Sequence, residues 1–491
     1  MIAGGVVDFP SIAELFRPGV DLLDRGLATG IFGVPTAMRV RGGYFSRGKS
    51  LFGIVSTFFA AIEFVVAAGG DKFAVVEATF PVSEYQGTRS TTEGLDNFIV
   101  LSETVKADLT RRGELYSKLA TSGAFLEYAA GSFLPVARTG TTRAPTRARG
   151  GGRIMIDSQA AWHRGVHCAR SEGVASDAVK GVLKLMAQRT RMTAGTANFG
   201  SGLSASESAG GQQAASAAEE ESLELLLLSS PLPESLTWLT WPVVAGFSFQ
   251  AKSWGVVLVS GLREVRFNEE AFTRLVLPDA RKKLIEALVL SHRGEDSATR
   301  INGGDDSSGK PKKATHTDVI AGKGEGTIFL LHGPPGVGKT LTAEAIAELL
   351  HKPLYVVSMG ELGTTPEALE ERLLDILDLC TPWGALVLID EAEMLLERRT
   401  KDDIVRNAMV CVMLRLLEYY CGILFLTTNR VESLDPAFQS RVQCALRYDE
   451  LDSESRTKIW ADLLDHSSVE KAGEGLDEKE LAKHKLNGRQ I

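Results

Sequence analysis

Residues 328–350 read IFLLHGPPGVGKTLTAEAIAELL, and this stretch decides the reading of the chain. An apolar run of strand type, IFLLH, leads into Gly333-Pro334-Pro335-Gly336-Val337-Gly338-Lys339-Thr340, and a helical pattern opens at Leu341. The eight residues fit G-x-x-x-x-G-K-[ST] at every fixed position, in the strand–loop–helix setting the pattern requires. Glycines let successive backbone N–H groups turn toward one concavity, and the helix start adds partial positive charge, so the loop is suited to phosphate. Lys339 can reach the outer phosphates, and Thr340 can ligate Mg2+. The binding residues expected are Gly333 through Thr340, with Leu341 behind them.

Working outward, five short apolar runs recur: IFLLH (328–332), LYVVS (354–358), LVLID (386–390), ILFLT (423–427) and CALRY (444–448). Longer amphipathic segments separate most of them, which predicts a parallel sheet wound with helices. In LVLIDEAEMLLE (386–397), Asp390 and Glu391 end a buried strand, at the sheet edge where ligands bind in open α/β folds. Asp390 is expected to join the nucleotide site and, with Thr340, to hold Mg2+; Glu391 is expected to orient and deprotonate a water. Asn429, after Thr427 and Thr428, can hydrogen-bond that water or the γ-phosphate, although Asn is also common in turns. Arg441, in LDPAFQSRV, reads either as an arginine supplied across a subunit boundary or as an ordinary surface arginine.

In this order the motifs resemble the AAA+ family, over about residues 315–490. The resemblance implies a P-loop core with a small helical lid, ATP and Mg2+ as ligands, and hydrolysis at the interfaces of a homo-oligomeric ring, a hexamer in most members. It also implies Asn429 as the sensor-one residue and Arg441 as the arginine finger. GKGEG (322–326), GELGTTPEALEERL (360–373), RNAMVCVMLRLLEYY (406–420) and TTNRVESLDPAFQSR (427–441) further look like a group of fungal AAA ATPases in which an N-terminal domain precedes one ATPase core. Three features depart from the family pattern. SMGELGTTPEALE lacks the aromatic residue of a threading pore loop. Arg441 has no obvious second arginine beside it, since Cys444 stands three residues on. The sequence stops at NGRQI, with Arg489 in place for a sensor-two arginine but the third lid helix cut short; weak turnover or assembly is the expected consequence.

The expected fold class is α/β, a P-loop parallel sheet wound with helices plus a partial helical lid, preceded by a mixed α+β N-terminal domain. The boundaries read 1–171 and 223–292 for the two parts of that domain, 172–222 for a low-complexity disordered insertion, 293–314 for a polar linker, 315–450 for the core and 451–491 for the lid. Residues 190–221 are nearly free of large apolar groups, so they cannot bury enough surface to offset chain entropy. A helix is expected from Ser102 to Leu119, weakened by Gly113, and a helix pair around Pro278.

The chain is 44% hydrophobic with a formal net charge of −8, which gives no general case for a nucleic-acid binder. Its five cysteines show no pairing rhythm and read as buried thiols. MIAGGVVDFPS lacks a basic n-region and a cleavage pattern, so secretion is not expected. LFGIVSTFFAAIEFVVAAGG (51–70), preceded by Arg39, Arg41, Arg47 and Lys49, is nearly long enough to span a bilayer, but Glu63 inside it and its β-branched content favour two buried strands. His163, His167 and Cys168 have helical spacing for a metal pair without a second pair. The basic stretch Arg138–Arg191 could touch RNA or acidic lipid, but with little aromatic interleaving it reads as a solvated, flexible loop.

The function expected is ATP-driven remodelling of a protein or ribonucleoprotein assembly. The alternative is a nucleotide-controlled binding module with little turnover. A clamp-loader-like action on nucleic acid is opposed by the acidic charge. Nucleic-acid and membrane partners are not expected, and the location is intracellular, cytoplasmic or nuclear.

Overall fold

The computed structural model describes residues 6–24, 34–50, 53–69, 71–83, 88–90, 98–135, 147–164, 166, 227–300, 326–399, 403–430, 434–466 and 478–491. The insertion expected at 172–222, His167, Cys168 and much of the basic stretch lie outside the described residues. The chain forms two compact units, Met1–Val265 and Arg266–Ile491.

The first unit is built on antiparallel sheets. One has the order Leu227–Ser229, Lys72–Ser83, Gly53–Gly69, Thr36–Ser50, Asp21–Asp24, Phe98–Val100. A second six-stranded sheet runs Leu262–Glu264, Ala124–Tyr128, Gly152–Ile156, Val243–Ser248, Ser253–Leu258, Phe133–Pro135, and Val6–Asp8 pairs with Thr88–Ser90 in a small third one. A single apolar cluster takes residues from both six-stranded sheets, among them Phe58, Phe64, Tyr128, Phe133 and Trp241. Within the apolar run, Gly53–Gly69 is one 17-residue strand rather than two, and it pairs along most of its length with both neighbours. No helix among the described residues is long and apolar enough to cross a membrane. Glu63 is buried at 3% exposure, and Arg41 Nε meets its Oε2 at 2.6 Å while Arg39 lies across the ladder from it. Two of the flanking basic residues are therefore strand-to-strand partners of that carboxylate.

The expected helix after Ser102 spans Glu103–Ser122, and Gly113 does not interrupt it. A Cβ at Gly113 would lie 1.9 Å from the carbonyl oxygen of Thr237, so this glycine lets the helix approach the turn Glu234–Thr237. Around Pro278 there is one helix rather than two. It runs Asp279–Arg300, with Arg281 and Lys282 N–H donating to the Pro278 carbonyl. The preceding segment, Asn268–Leu277, makes successive turns instead, because the residue before a proline is driven out of the helical region and Asn268 Oδ1 accepts locally from Glu270 N–H. Residues 293–300, read as linker, belong to this helix. Residues 266–292, grouped in the sequence with the N-terminal domain, pack in the second unit: Phe272, Leu275, Ile285 and Val289 join its core. Of the cysteines, Cys380 and Cys444 are buried, but Cys411 is exposed and Cys421 partly so.

The second unit holds the parallel sheet. Its order is Leu354–Ser358, Leu386–Asp390, Ile423–Thr428, Thr327–His332, Cys444–Arg447, with every pair parallel. The five runs read from the sequence are these five strands. The central three are almost wholly buried, as continuous apolar runs in a doubly covered sheet must be. Helices Lys339–Leu350, Pro366–Trp383 and Ile404–Tyr419 cover it. The helices Ser453–His466 and Glu478–Leu481 follow the last strand and pack on each other.

Candidate functional site

The loop Gly333–Thr340 leaves the carboxyl end of the strand Thr327–His332, beside the central one. Gly333 has φ +147°, and a Cβ there would come within 2.1 Å of the Tyr448 carbonyl oxygen. Gly338, at φ +96°, turns the chain into the helix Lys339–Leu350. Only glycine adopts such backbone without strain. Lys339 is 8% exposed, and its ammonium donates to Gly333 O at 2.8 Å, Pro334 O at 2.7 Å and Asn429 Oδ1 at 2.8 Å. Three donors meet three acceptors, so a buried cation is satisfied without a contacting carboxylate. Burial lowers the pKa of this lysine, against the opposing pull of Asp390.

Strands Leu386–Asp390 and Ile423–Thr428 lie side by side and end at this loop. Thr340 Oγ1 donates to the Asp390 carboxylate at 3.1 Å, and Thr427 Oγ1 donates to it at 2.5 Å. Thr427 Oγ1 also accepts from Glu391 N–H at 2.9 Å. Glu391 has φ +56°, a conformation few non-glycine residues adopt, and its side chain is exposed beside the cavity. Asn429 follows the neighbouring strand, so the sheet register and the loop bring Lys339, Asp390, Glu391 and Asn429 to one edge.

That edge is the polar end of a cavity of about 630 Å³. The loop, Thr340, Asp390, Glu391 and Asn429 line it there; Leu341, 55% exposed, lines it too. The apolar part is formed by Leu275 and Leu277 before the helix Asp279–Arg300, and by Ile459 and Leu463 of the helix Ser453–His466. Arg274 Nε lies 3.6 Å from Asp462, linking these two walls. Gly488 and Arg489 complete the lining from the turn Asn487–Gln490. Arg489 thus reaches the cavity on a tight turn, with no long helix to hold it.

Arg441 is not among the lining residues. Its guanidinium donates to Glu418 at 3.1 Å and to the Ala437 carbonyl at 3.0 Å. Sequence reasoning missed Glu393, whose Oε1 accepts from both N–H and Nδ2 of Asn429, and the segment Asn268–Leu277. An acid two residues past Glu391, on the short helix Glu393–Leu396, was the available signal for the first.

Residues 329–449 match the family model described as "ATPase family associated with various cellular activities (AAA)". The chain is 34% identical over 140 residues to the mouse "Nuclear valosin-containing protein-like", covering 26% of this chain and 16% of that protein. It is 32% identical over 116 residues to the "Probable mitochondrial chaperone bcs1" of Schizosaccharomyces pombe, covering 22% and 25%. It is 28% identical over 165 residues to the human "ATPase family AAA domain-containing protein 3B", covering 31% and 25%. The chain spans at most a quarter of the length of these relatives. The matched segment contains the phosphate loop, Asp390, Glu391 and Asn429 at one sheet edge, and the chain therefore carries an ATPase domain of the AAA+ family.

Proposed function

We propose that the second unit binds ATP with Mg2+ in this cavity and hydrolyses its terminal phosphate. The observation that carries this reading is the meeting of Lys339, Thr340, Asp390, Glu391 and Asn429 at the polar end of a cavity whose far wall is apolar. The polar end suits a triphosphate and the apolar wall suits a base. The Thr340 hydroxyl and the Asp390 carboxylate are hard oxygen donors, the kind Mg2+ takes one or two of while keeping phosphate and water ligands. The ion supplies charge neutralisation on the phosphate oxygens. Lys339, already desolvated, would exchange its loop carbonyls for phosphate oxygens, and Glu391 would take the proton of the attacking water.

In this reading copies of the chain assemble into a ring, and Arg441 reaches the site of the neighbouring copy. The unit Met1–Val265 would select a protein or ribonucleoprotein assembly to be remodelled, within the cytoplasm or nucleus. The fission-yeast relative, named as a probable mitochondrial chaperone, is in keeping with a remodelling action. One observation favours the second reading, a nucleotide-controlled binding module with little turnover: Arg441 is engaged by Glu418 within its own chain.

The test is steady-state ATP hydrolysis against protein concentration, for the wild type and Glu391→Gln. Turnover rising cooperatively with concentration, and lost in Glu391→Gln while ATP still binds, supports the ring mechanism. Tight ATP binding with no turnover at any concentration supports the binding module and sinks the motor reading.

A further inference from the structure

Asn429 is held at both ends, and the two holders are of opposite character. Glu393 Oε1 accepts from the Asn429 backbone N–H at 2.8 Å and from Nδ2 at 2.9 Å. At the other end, Asn429 Oδ1 accepts from the Lys339 ammonium at 2.8 Å. An amide has one donor end and one acceptor end. Turned over, it would set its NH2 group against an ammonium and its carbonyl oxygen against a carboxylate. Both hydrogen bonds would be lost and two like-with-like contacts made. Chemistry therefore fixes which end faces the loop: the carbonyl oxygen.

We propose that Glu393 is a positioning residue that sets the orientation of Asn429, so that Asn429 acts on the attacking water as a hydrogen-bond acceptor rather than on the phosphate as a donor. A carbonyl oxygen facing phosphate oxygens is repelled, whereas one facing a water can accept a hydrogen bond from it and so aim its lone pair, leaving the proton transfer to Glu391. When Lys339 moves onto the triphosphate, Asn429 Oδ1 loses its present donor, and the water is the donor that replaces it. Glu393 itself lies in the second layer, on the short helix Glu393–Leu396 directly after Glu391. The same few residues thus carry the base and the group that orients its partner. This inference rests on the ATPase reading and adds to it a residue and a polarity.

The experiment measures kcat, KM and equilibrium ATP affinity for the full chain as wild type, Glu391→Gln, Asn429→Ala, Glu393→Ala, Glu393→Gln and the Glu393→Ala/Asn429→Ala pair. Glu393→Ala is expected to lower kcat about tenfold while ATP affinity moves less than about twofold, since a misplaced orienting group acts on the chemical step. Glu393→Gln keeps an oxygen that can accept the same two N–H groups, and is expected to stay within about threefold of wild type. The double variant is expected to be no worse than Asn429→Ala, because residues acting as one unit are not additive. Folded, ATP-binding Glu393→Ala with wild-type kcat overturns the proposal. So does a folded Glu393→Gln as impaired as the alanine variant, or additive losses in the pair. A wild type that does not turn over, or turnover that survives Glu391→Gln, brings down the ATPase reading and this inference with it. Wild-type turnover lost in Glu391→Gln, beside an unaffected Glu393→Ala, brings down this inference alone.

Discussion

The backbone N–H of Gly488 donates to the carbonyl oxygen of Gly336 at 2.8 Å, tying the turn Asn487–Gln490 to the phosphate loop. The same turn delivers Arg489 to the cavity, where its charge is close enough to contribute to the lowered pKa of Lys339, after burial and against the nearby acids. A second cation beside the loop favours a bound triphosphate. Arg489→Ala is expected to weaken ATP binding by about tenfold, in line with one charge-assisted hydrogen bond. Titration of ATP into the Glu391→Gln background reads this without turnover. Unchanged affinity would leave Arg489 as a bystander at the rim.

Gly113 offers a test confined to the first unit. Alanine is the better helix former by about 1 kcal/mol, so propensity alone predicts stabilisation. Packing predicts the reverse, because the added Cβ would sit 1.9 Å from the Thr237 carbonyl oxygen, a backbone atom that cannot swing away. The clash should win. Gly113→Ala is expected to destabilise the unit by about 1–3 kcal/mol, the usual cost of overpacking. Denaturant unfolding measures this, and ATP affinity should not move. A more stable Gly113→Ala protein would mean that the helix Glu103–Ser122 can shift away from the turn Glu234–Thr237.

These two cases also mark what the sequence could and could not tell. The candidate site's edge was legible because its parts are local: a loop pattern between a strand and a helix, then acids at the end of another apolar run. The five strands were legible because a sheet covered on both faces leaves uninterrupted apolar words. What escaped depends on contacts between residues far apart in sequence. Gly113 looks like a flaw in a helix until Thr237 is placed beside it. The run at 51–70 reads as two buried strands until pairing on both sides joins Gly53–Gly69 into one. The turns at Asn268–Leu277 read as a helix because Phe272 and Leu275 have helical spacing, while Pro278 and the Asn268 side chain decide otherwise. Glu393 stood in the sequence only as an acid two residues past Glu391, because its partner Asn429 lies 36 residues on.

Asp435 supplies a pH dependence. Burial alone would raise its carboxyl pKa, but hydrogen bonds from Arg399 and from the Ala437 and Arg399 N–H groups outweigh this and hold it below the usual carboxylate value. A depressed folded-state pKa means that the stabilisation is fully present above the unfolded value and is lost as pH falls through the folded one. The wild type should therefore lose stability below about pH 4 more steeply than Asp435→Asn. At neutral pH Asp435→Asn should be the less stable, by about 1 kcal/mol, since the amide cannot pair with Arg399 but still caps the helix Pro436–Gln439. Thermal unfolding of both proteins from pH 7 to pH 3 checks the convergence of the two curves. Parallel curves would assign the acid sensitivity elsewhere.

The helix that Asp435 caps leads to Arg441, and Arg441 is where the two functional readings part. Within one chain its guanidinium is spent on Glu418 and the Ala437 carbonyl, and it does not line the cavity. If it acts on a neighbouring copy, it must leave Glu418 to do so. Arg441→Ala is then expected to keep its ATP affinity and to lose turnover by about a thousandfold, the scale of an arginine supplied in trans. Adding Lys339→Ala chains, which lack a working loop but carry Arg441, should restore part of that turnover, because each variant supplies what the other lacks. Glu418→Gln weakens the internal hold, so its turnover should equal or exceed that of the wild type. A merely structural Arg441 would behave differently: Arg441→Ala and Glu418→Gln would lose stability together, and mixing would recover nothing. Rates of the mixed and unmixed proteins at one total concentration decide between these outcomes.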